Sequence, residues 1–437
     1  MSQKSFLGDF IKYVTLNILG QIAYSCYTMA DTFFVSTSLG TDGLTALNLA
    51  FPVFCLMNGT GLMIGIGGGS RYSILKSGND QQGADQSFTT AMRLAVFFSV
   101  LYGMAGLMLS GPITRILGAD VTVFVPTHTY LKTLMVFAPA FLINTVLQCF
   151  IRNDGKPSLS MKAMAAGSIS NIVLDYIFIF PMEMGIFGAA FATGLSPVIS
   201  MAVVLPYLLR GKNGFHFSKK GALREMAGGI MARGVPPLMT EVSSGIVMLL
   251  FNVIILRLEG NTGVAAFGVI CVISLVVVAI YTGLSQGIQP VISRNFGMGN
   301  GENVKKVLKY AMVTMSFLSA ALYVILFLYS SELAYVFNRE KDMVLQGFAV
   351  PGMKIYFTAC PFIGFNIVLS TYFISTDQPV PGQIISLLRS MIVLIPMAIF
   401  LSWRFGMTGV WSAYPVTELL VAGAGAALYL RAGRRGE

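Results

Sequence analysis

Asn171 and Asp175 stand four residues apart within the apolar stretch 158–181. On a helix that spacing puts an amide and a carboxyl one turn above the other on one face. The stretch is long enough to span a bilayer. A carboxyl in hydrocarbon is costly unless it faces a cavity, a partner or an ion. Three further acids sit well inside apolar stretches: Asp31, Glu241 and Glu418. Two carboxyls sharing a low-dielectric site repel, so one keeps its proton unless a cation sits between them. Two outcomes are open. A shared proton makes a proton-binding site, and a cage of carboxyl, amide and hydroxyl makes a Na⁺ site. The competing reading is structural: each acid only hydrogen-bonds its own bundle together.

The elements that must hold these groups are membrane helices. The chain has 437 residues, of which 55% are apolar and 11% charged, with mean hydropathy +0.73. A soluble domain carries about a quarter charged residues, so the composition predicts an all-α polytopic membrane protein. Twelve spans are expected, over 10–37, 44–71, 87–110, 127–151, 158–181, 187–210, 230–257, 264–290, 305–328, 350–374, 380–402 and 408–431. Gly and Pro punctuate the gaps, as at Gly111-Pro112 and Gly155 to Pro157.

The net charge of +10 could suggest nucleic acid, but placement argues for orientation in a membrane and no nucleic-acid partner. With the N-terminus in the cytoplasm, 22 of the 29 Lys and Arg fall on cytoplasmic segments. The exceptions are Arg115, Lys132, Arg257, Arg339, Lys341, Lys354 and Arg404. That bias puts both termini in the cytoplasm. No cleavable leader is evident, since the first span follows Lys4, Asp9 and Lys12 and carries Asp31.

The chain reads as an internal duplication with an offset of about 220 residues. Gly43 aligns with Gly263, Gly67 with Gly287, Asn144 with Asn366, Pro157 with Pro379 and Gly188 with Gly409. An even number of spans per half sends both halves into the membrane the same way. The expectation is two six-helix bundles related by a pseudo-two-fold axis along the membrane normal, with a cleft between them. The lobes are read as 1–210 and 230–437, joined by a basic cytoplasmic linker, 211–229.

Depth sorts the polar groups. Asp31, Asp175 and Thr193 each lie six residues from the external end of their spans. At about 1.5 Å per residue that is roughly 9 Å below the outer surface. Tyr27 and Asn171 lie one turn deeper. The N-terminal lobe can therefore gather two carboxyls, a phenol, an amide and a hydroxyl at one level, with a Na⁺ site at Asp31, Asp175 and Asn171 as one outcome. Glu241 and Glu418 lie near mid-depth in the second half and read as a second acidic locus, touching cargo or an ion. Arg389 is expected to snorkel to the cytoplasmic surface.

Other chemistries are excluded. His128 and His216 lie far apart, and Cys26, Cys55, Cys149, Cys271 and Cys360 show no paired spacing. Gly65-Ile-Gly67-Gly68-Gly69 has no strand before it and no Lys-Ser/Thr after it, so it is read as a close-packing helix face. No cofactor and no enzymatic activity are expected. The 25 Met, 32 Phe and 17 Tyr supply thioethers and aromatic faces suited to flat cationic amphipathic molecules.

The chain resembles the multidrug and toxic compound extrusion (MATE) transporters of bacterial type. The resemblance spans essentially the whole chain. It rests on Tyr27-Thr-Met-Ala-Asp31 with Phe34-Val35 and Leu39-Gly40, and on Arg152-Asn-Asp-Gly-Lys-Pro157. It also rests on Asn171 with Asp175, on Gly188-Ala-Ala-Phe-Ala-Thr193 and on Gly287-Ile-Gln-Pro290. It implies a two-lobe antiporter that expels organic cations in exchange for H⁺ or Na⁺, working as a monomer in the cell (inner) membrane. Residues matching Asp31, Asp175, Asn171, Tyr27 and Thr193 form the family's N-lobe cation site. Two departures stand out. No proline precedes Pro52, with Leu16 near the place where many relatives carry one, and residues 350–374 contain no Asp or Glu. The first argues against a proline-hinged first span, and the second favours H⁺ coupling through the N-lobe. The rival reading is a flippase of a lipid-linked or other amphipathic anion. Its cleft should be basic, whereas the deep charges here are mainly acidic.

Overall fold

A computed structural model describes residues 3–218, 223–337 and 343–434. Helix is the only regular structure among the described residues, as hydrocarbon requires of a chain that must satisfy its own backbone. Helix Gln3–Ser77 breaks at Gly40 into α1 (3–39) and α2 (41–77). Next come α3 (Gln81–Met108), α4 (Phe124–Val136 and Ala138–Asn153, bent by 48°), α5 (Pro157–Ile179) and α6 (Gly185–Leu209). Helix Leu223–Gly297 breaks at Gly260 into α7 (223–259) and α8 (261–297). Then follow α9 (Gly301–Leu328) and α10, in which Met343–Tyr356 and Cys360–Ser375 flank one 3₁₀ turn. In α11 a π-helical turn, Leu388–Ile392, follows Pro379–Leu387, and a break at Gly406 separates it from α12 (407–434). Short helices Ser110–Ile116 and Ser330–Phe337 follow α3 and α9.

The expected spans fall on these twelve segments. By length and apolarity, nine helices among the described residues, or ten with the bent α4 pair taken as one, could cross a membrane. That count omits α1, which carries many polar residues, and takes Pro379–Ala432 as one.

The duplication is written into the backbone. Positive φ recurs at Gly40 and Gly260 (61° and 66°), Asn79 and Gly299 (66° and 71°), Gly155 and Asp377 (85° and 59°), and Gly185 and Gly406 (56° and 57°). Positive φ occurs at eleven described residues, and eight of them pair at nearly one offset, which marks a repeat. The N-caps of α3 and α9 correspond likewise: Asp80 accepts from Gly83 N–H and Asn300 from Asn303 N–H.

Apolar side chains form two large clusters. One takes residues from Val35 to Ile230, and the other takes residues from Phe251 to Ala413. The start of α1 joins the second: Phe6 and Phe10 pack on Tyr310 of α9. Between the halves, backbones touch directly. A Cβ on Gly67 would collide with the Ile230 carbonyl, and one on Gly234 with that of Met63. Such close approach is how membrane helices associate without a hydrophobic drive. Outward faces stay greasy, as at Phe97, Met104, Leu107 and Met108 of α3. Lys219 and Lys220 of the expected linker lie outside the described residues.

Candidate functional site

Three helices bring the predicted N-lobe residues into one pocket. α1 supplies Tyr27 and Asp31, α5 supplies Asn171 and Asp175, and α6 supplies Thr193; all five are buried. The i, i+4 pair behaves as the spacing predicts. With its amide oriented to satisfy both ends, Asn171 donates to Asp175 Oδ2 at 3.0 Å and accepts from Thr193 N–H at 3.2 Å. The Thr193 hydroxyl donates to the Ala189 carbonyl at 3.0 Å. That back-bond satisfies its proton within α6 and leaves lone pairs facing the pocket.

Asp31 and Asp175 lie within electrostatic range of each other. Asp31 is 6% exposed and Asp175 fully buried, and Oδ1 of each has no hydrogen-bond partner. Two orphaned carboxyl oxygens in a buried pocket are an unfinished coordination shell. A proton or a small hard cation completes it, since both take oxygen donors.

A fourth helix adds a residue that sequence reasoning missed. Tyr130 of α4 sets its phenol against the Asp31 carboxyl and the Thr193 hydroxyl, within reach of Asp175 and Tyr27. Its signal was depth: Tyr130 lies a few residues inside the external end of its span, as Asp31 does. Nothing local distinguishes it from the other tyrosines.

The acids do not line the central cleft directly. An open cleft lies deeper, walled by Tyr24, Tyr27, Asn58, Gln148, Arg152 and Glu241 among others. Tyr27 belongs to both pocket and cleft and stands between them, its ring edge-on to Tyr24 at 4.9 Å.

The two second-half acids part company. Glu241 faces the cleft beside Asn58, Tyr24 and Cys55. Glu418 is fully buried elsewhere, accepting from Arg389 Nε and Nη2 at 3.1 and 2.7 Å and from Asn366 Nδ2 at 2.7 Å. Arg389 therefore does not snorkel to the surface. It is 8% exposed and held inside by Glu418 Oε1, which takes both of its donors, while Oε2 takes Asn366.

At the end formed by the α2–α3, α4–α5, α8–α9 and α10–α11 turns, polar bonds tie the halves together. Gln286 Oε1 accepts from Gln21 and Arg152 at 3.1 and 2.7 Å. Asn153 pairs with Gln289, and Ser70 Oγ lies 3.1 Å from Ser293 Oγ. Asp377 takes Arg233 and, at 4.0 Å, Arg71. Just outside, Asp154 anchors the segment after α6. Its carboxylate accepts from Lys76, Tyr72 and Tyr207, each at 2.6 Å, and from Gly214 N–H at 2.8 Å. Burial alone would raise its pKa. The bonds from Lys76, Tyr207, Tyr72 and Gly214 outweigh that and hold it below the usual carboxylate range.

The MatE family model matches residues 17–177 and 236–400. Multidrug export protein MepA of Staphylococcus saprophyticus is 26% identical over 398 residues, which cover 90% of this chain and 87% of that protein. MepA of Staphylococcus aureus strain MSSA476 is 25% identical over 416 residues, covering 94% and 91%. Among solved structures, that of a MATE in complex with MaL6 has the same fold, with TM-score 0.90 at 24% identity over 95% of this chain and 94% of that one.

Proposed function

Because the chain belongs to the MatE family, and is thus a multi-pass membrane transporter, we propose that it is a secondary-active antiporter exporting organic cations in exchange for H⁺ or Na⁺. The observation that carries this reading is the pair of unpartnered carboxyl oxygens of Asp31 and Asp175 in one buried pocket behind Tyr27. The names of the MepA relatives support drug-like cargo.

The physical cycle is a competition for negative charge. With the pocket empty of H⁺ or Na⁺, two buried carboxylates make the N-lobe favourable for a cation in the neighbouring cleft, where Tyr24, Tyr27 and Glu241 receive it. Binding of H⁺ or Na⁺ at Asp31, Asp175 and Asn171 cancels that attraction and releases the cargo. Tyr27, Tyr130 and Thr193 orient the carboxyls. The lobes, 1–210 and 230–437 joined by 211–229, rock about the seam to give alternating access. H⁺ is the favoured ion, because residues 350–374 offer no acid for a second Na⁺ site. Glu418 carries its own cation, Arg389, so Glu241 is the second-half acid assigned to cargo. The working unit is a monomer in the cell (inner) membrane, with both termini cytoplasmic, as the distribution of Lys and Arg supports.

Vesicles with imposed pH or Na⁺ gradients test the proposal and identify the ion. Asp31→Asn and Asp175→Asn should each abolish gradient-driven efflux of a fluorescent organic cation while leaving folded protein. Efflux retained in both variants would sink it.

A further inference from the structure

Three arginines among the described residues are at least nine-tenths buried: Arg152, Arg233 and Arg389, at 2%, 7% and 8% exposure. Two carry a carboxylate, Asp377 for Arg233 and Glu418 for Arg389. Arg152 carries none among the described residues. Its Nη1 donates to the Gln286 side-chain carbonyl, already shared with Gln21, and its Nη2 to the Cys149 sulfur at 3.1 Å. Its Nε has no partner. Neutral acceptors leave the formal charge uncompensated, and an unpaired buried charge is among the most costly features a protein can keep.

Arg152 also lines the central cleft, as does Glu241 from the other half. The cleft therefore holds one buried cation and one acid. Holding the halves together at Gln286 would need only Nη1. The unpartnered Nε and the unbalanced charge are left over, on a residue that lines the cleft.

We infer that Arg152 is a specificity-determining cargo contact that receives a carboxylate, so that the cleft takes amphipathic zwitterions whose cationic end faces Glu241. A planar guanidinium with a spare donor suits a carboxylate, which can accept two parallel bonds. This rests on the proposal above that the cleft carries organic cations, and extends it from the cation to a second charged group on the same molecule.

The test is equilibrium binding to the purified full-length protein, read by fluorescence anisotropy without any gradient. The probes are a rhodamine methyl ester, a monocation, and the free acid of the same dye, a zwitterion. The unsubstituted protein should bind the acid more tightly than the ester. Arg152→Gln should weaken the acid about tenfold, or about 1.4 kcal/mol, and leave the ester within about twofold, which also reports that the variant is folded. Arg152→Lys should keep part of the preference, since it retains charge without the fork. Equal binding of acid and ester by the unsubstituted protein overturns the inference and leaves antiport standing. So does an Arg152→Gln variant that loses both dyes by the same factor, or neither. Discrimination in this assay with no gradient-driven efflux would uphold the role of Arg152 and sink antiport alone.

Discussion

Asn153 and Gln289 exchange two hydrogen bonds across the seam, Asn153 Nδ2 donating to Gln289 Oε1 at 2.9 Å and Gln289 Nε2 to Asn153 Oδ1 at 3.1 Å. The reciprocal pair joins the end of α4 to α8. Neighbouring bonds from Arg152 and Gln21 to Gln286, and from Ser70 to Ser293, close the same end of the cleft. None of these is a buried ion pair. Hydrogen bonds of about 1 kcal/mol each, somewhat more for the one from the Arg152 guanidinium, suit a joint that must open and close.

Locking that joint should stop transport. Ser70 Oγ and Ser293 Oγ lie 3.1 Å apart, within reach of a disulfide once both are cysteine. Oxidation of Ser70→Cys/Ser293→Cys should abolish efflux, and reductant should restore it. The unsubstituted protein, with its own five cysteines, should be unaffected. Full activity of the cross-linked protein would mean that the seam does not part during the cycle.

Tyr130 should matter through its hydroxyl alone. Tyr130→Phe keeps the ring and removes the group set against Asp31 and Thr193. Loss of one such bond, about 1 kcal/mol, corresponds to about a fivefold fall in gradient-driven efflux. Efflux measured at fixed gradient and protein level checks this, and an unchanged rate would remove Tyr130 from the site.

Breaking the Arg389–Glu418 pair from one side should be severe. Glu418→Gln leaves a buried guanidinium without its carboxylate, a change that costs about 3–5 kcal/mol. The double replacement Arg389→Met/Glu418→Leu should restore much of the stability lost. Thermal unfolding of the purified proteins compares them. Equal damage from both would argue against the pair as the cause.

Asp154 gives a pH dependence of definite sign. Its folded pKa is lowered, so its stabilisation is present above the unfolded value of about 3.9 and is lost as pH falls through the folded value. Melting temperature should therefore drop more steeply below about pH 4 in the unsubstituted protein than in Asp154→Asn. At pH 7 the variant should already be the less stable of the two. Parallel pH profiles would show that the carboxylate does not clamp Lys76, Tyr72, Tyr207 and Gly214.

What was legible in the sequence was local or periodic. Apolar runs marked the helices, because a backbone in hydrocarbon has few other ways to satisfy itself. A near-constant offset marked the duplication, and the positive-φ positions repeat it. Asn171 and Asp175 met as expected because four residues make one turn. Depth counting brought Tyr27, Asp31 and Thr193 to the same level as that pair.

The tertiary structure decided which faces meet. Period and depth fix where a side chain sits along a helix and on which side, but not which helix it faces. Arg389 finds Glu418 29 residues away, and Asn153 finds Gln289 136 residues away. So Arg389, which looked free to snorkel, is paired inside. Glu241 and Glu418, which looked like one locus, are separate, and Arg152, which read as a loop cation, stands in the wall of the cleft. Charge and hydropathy along one chain determine that these groups are in the membrane; only the packing of distant helices determines whether each is balanced or left waiting for a ligand.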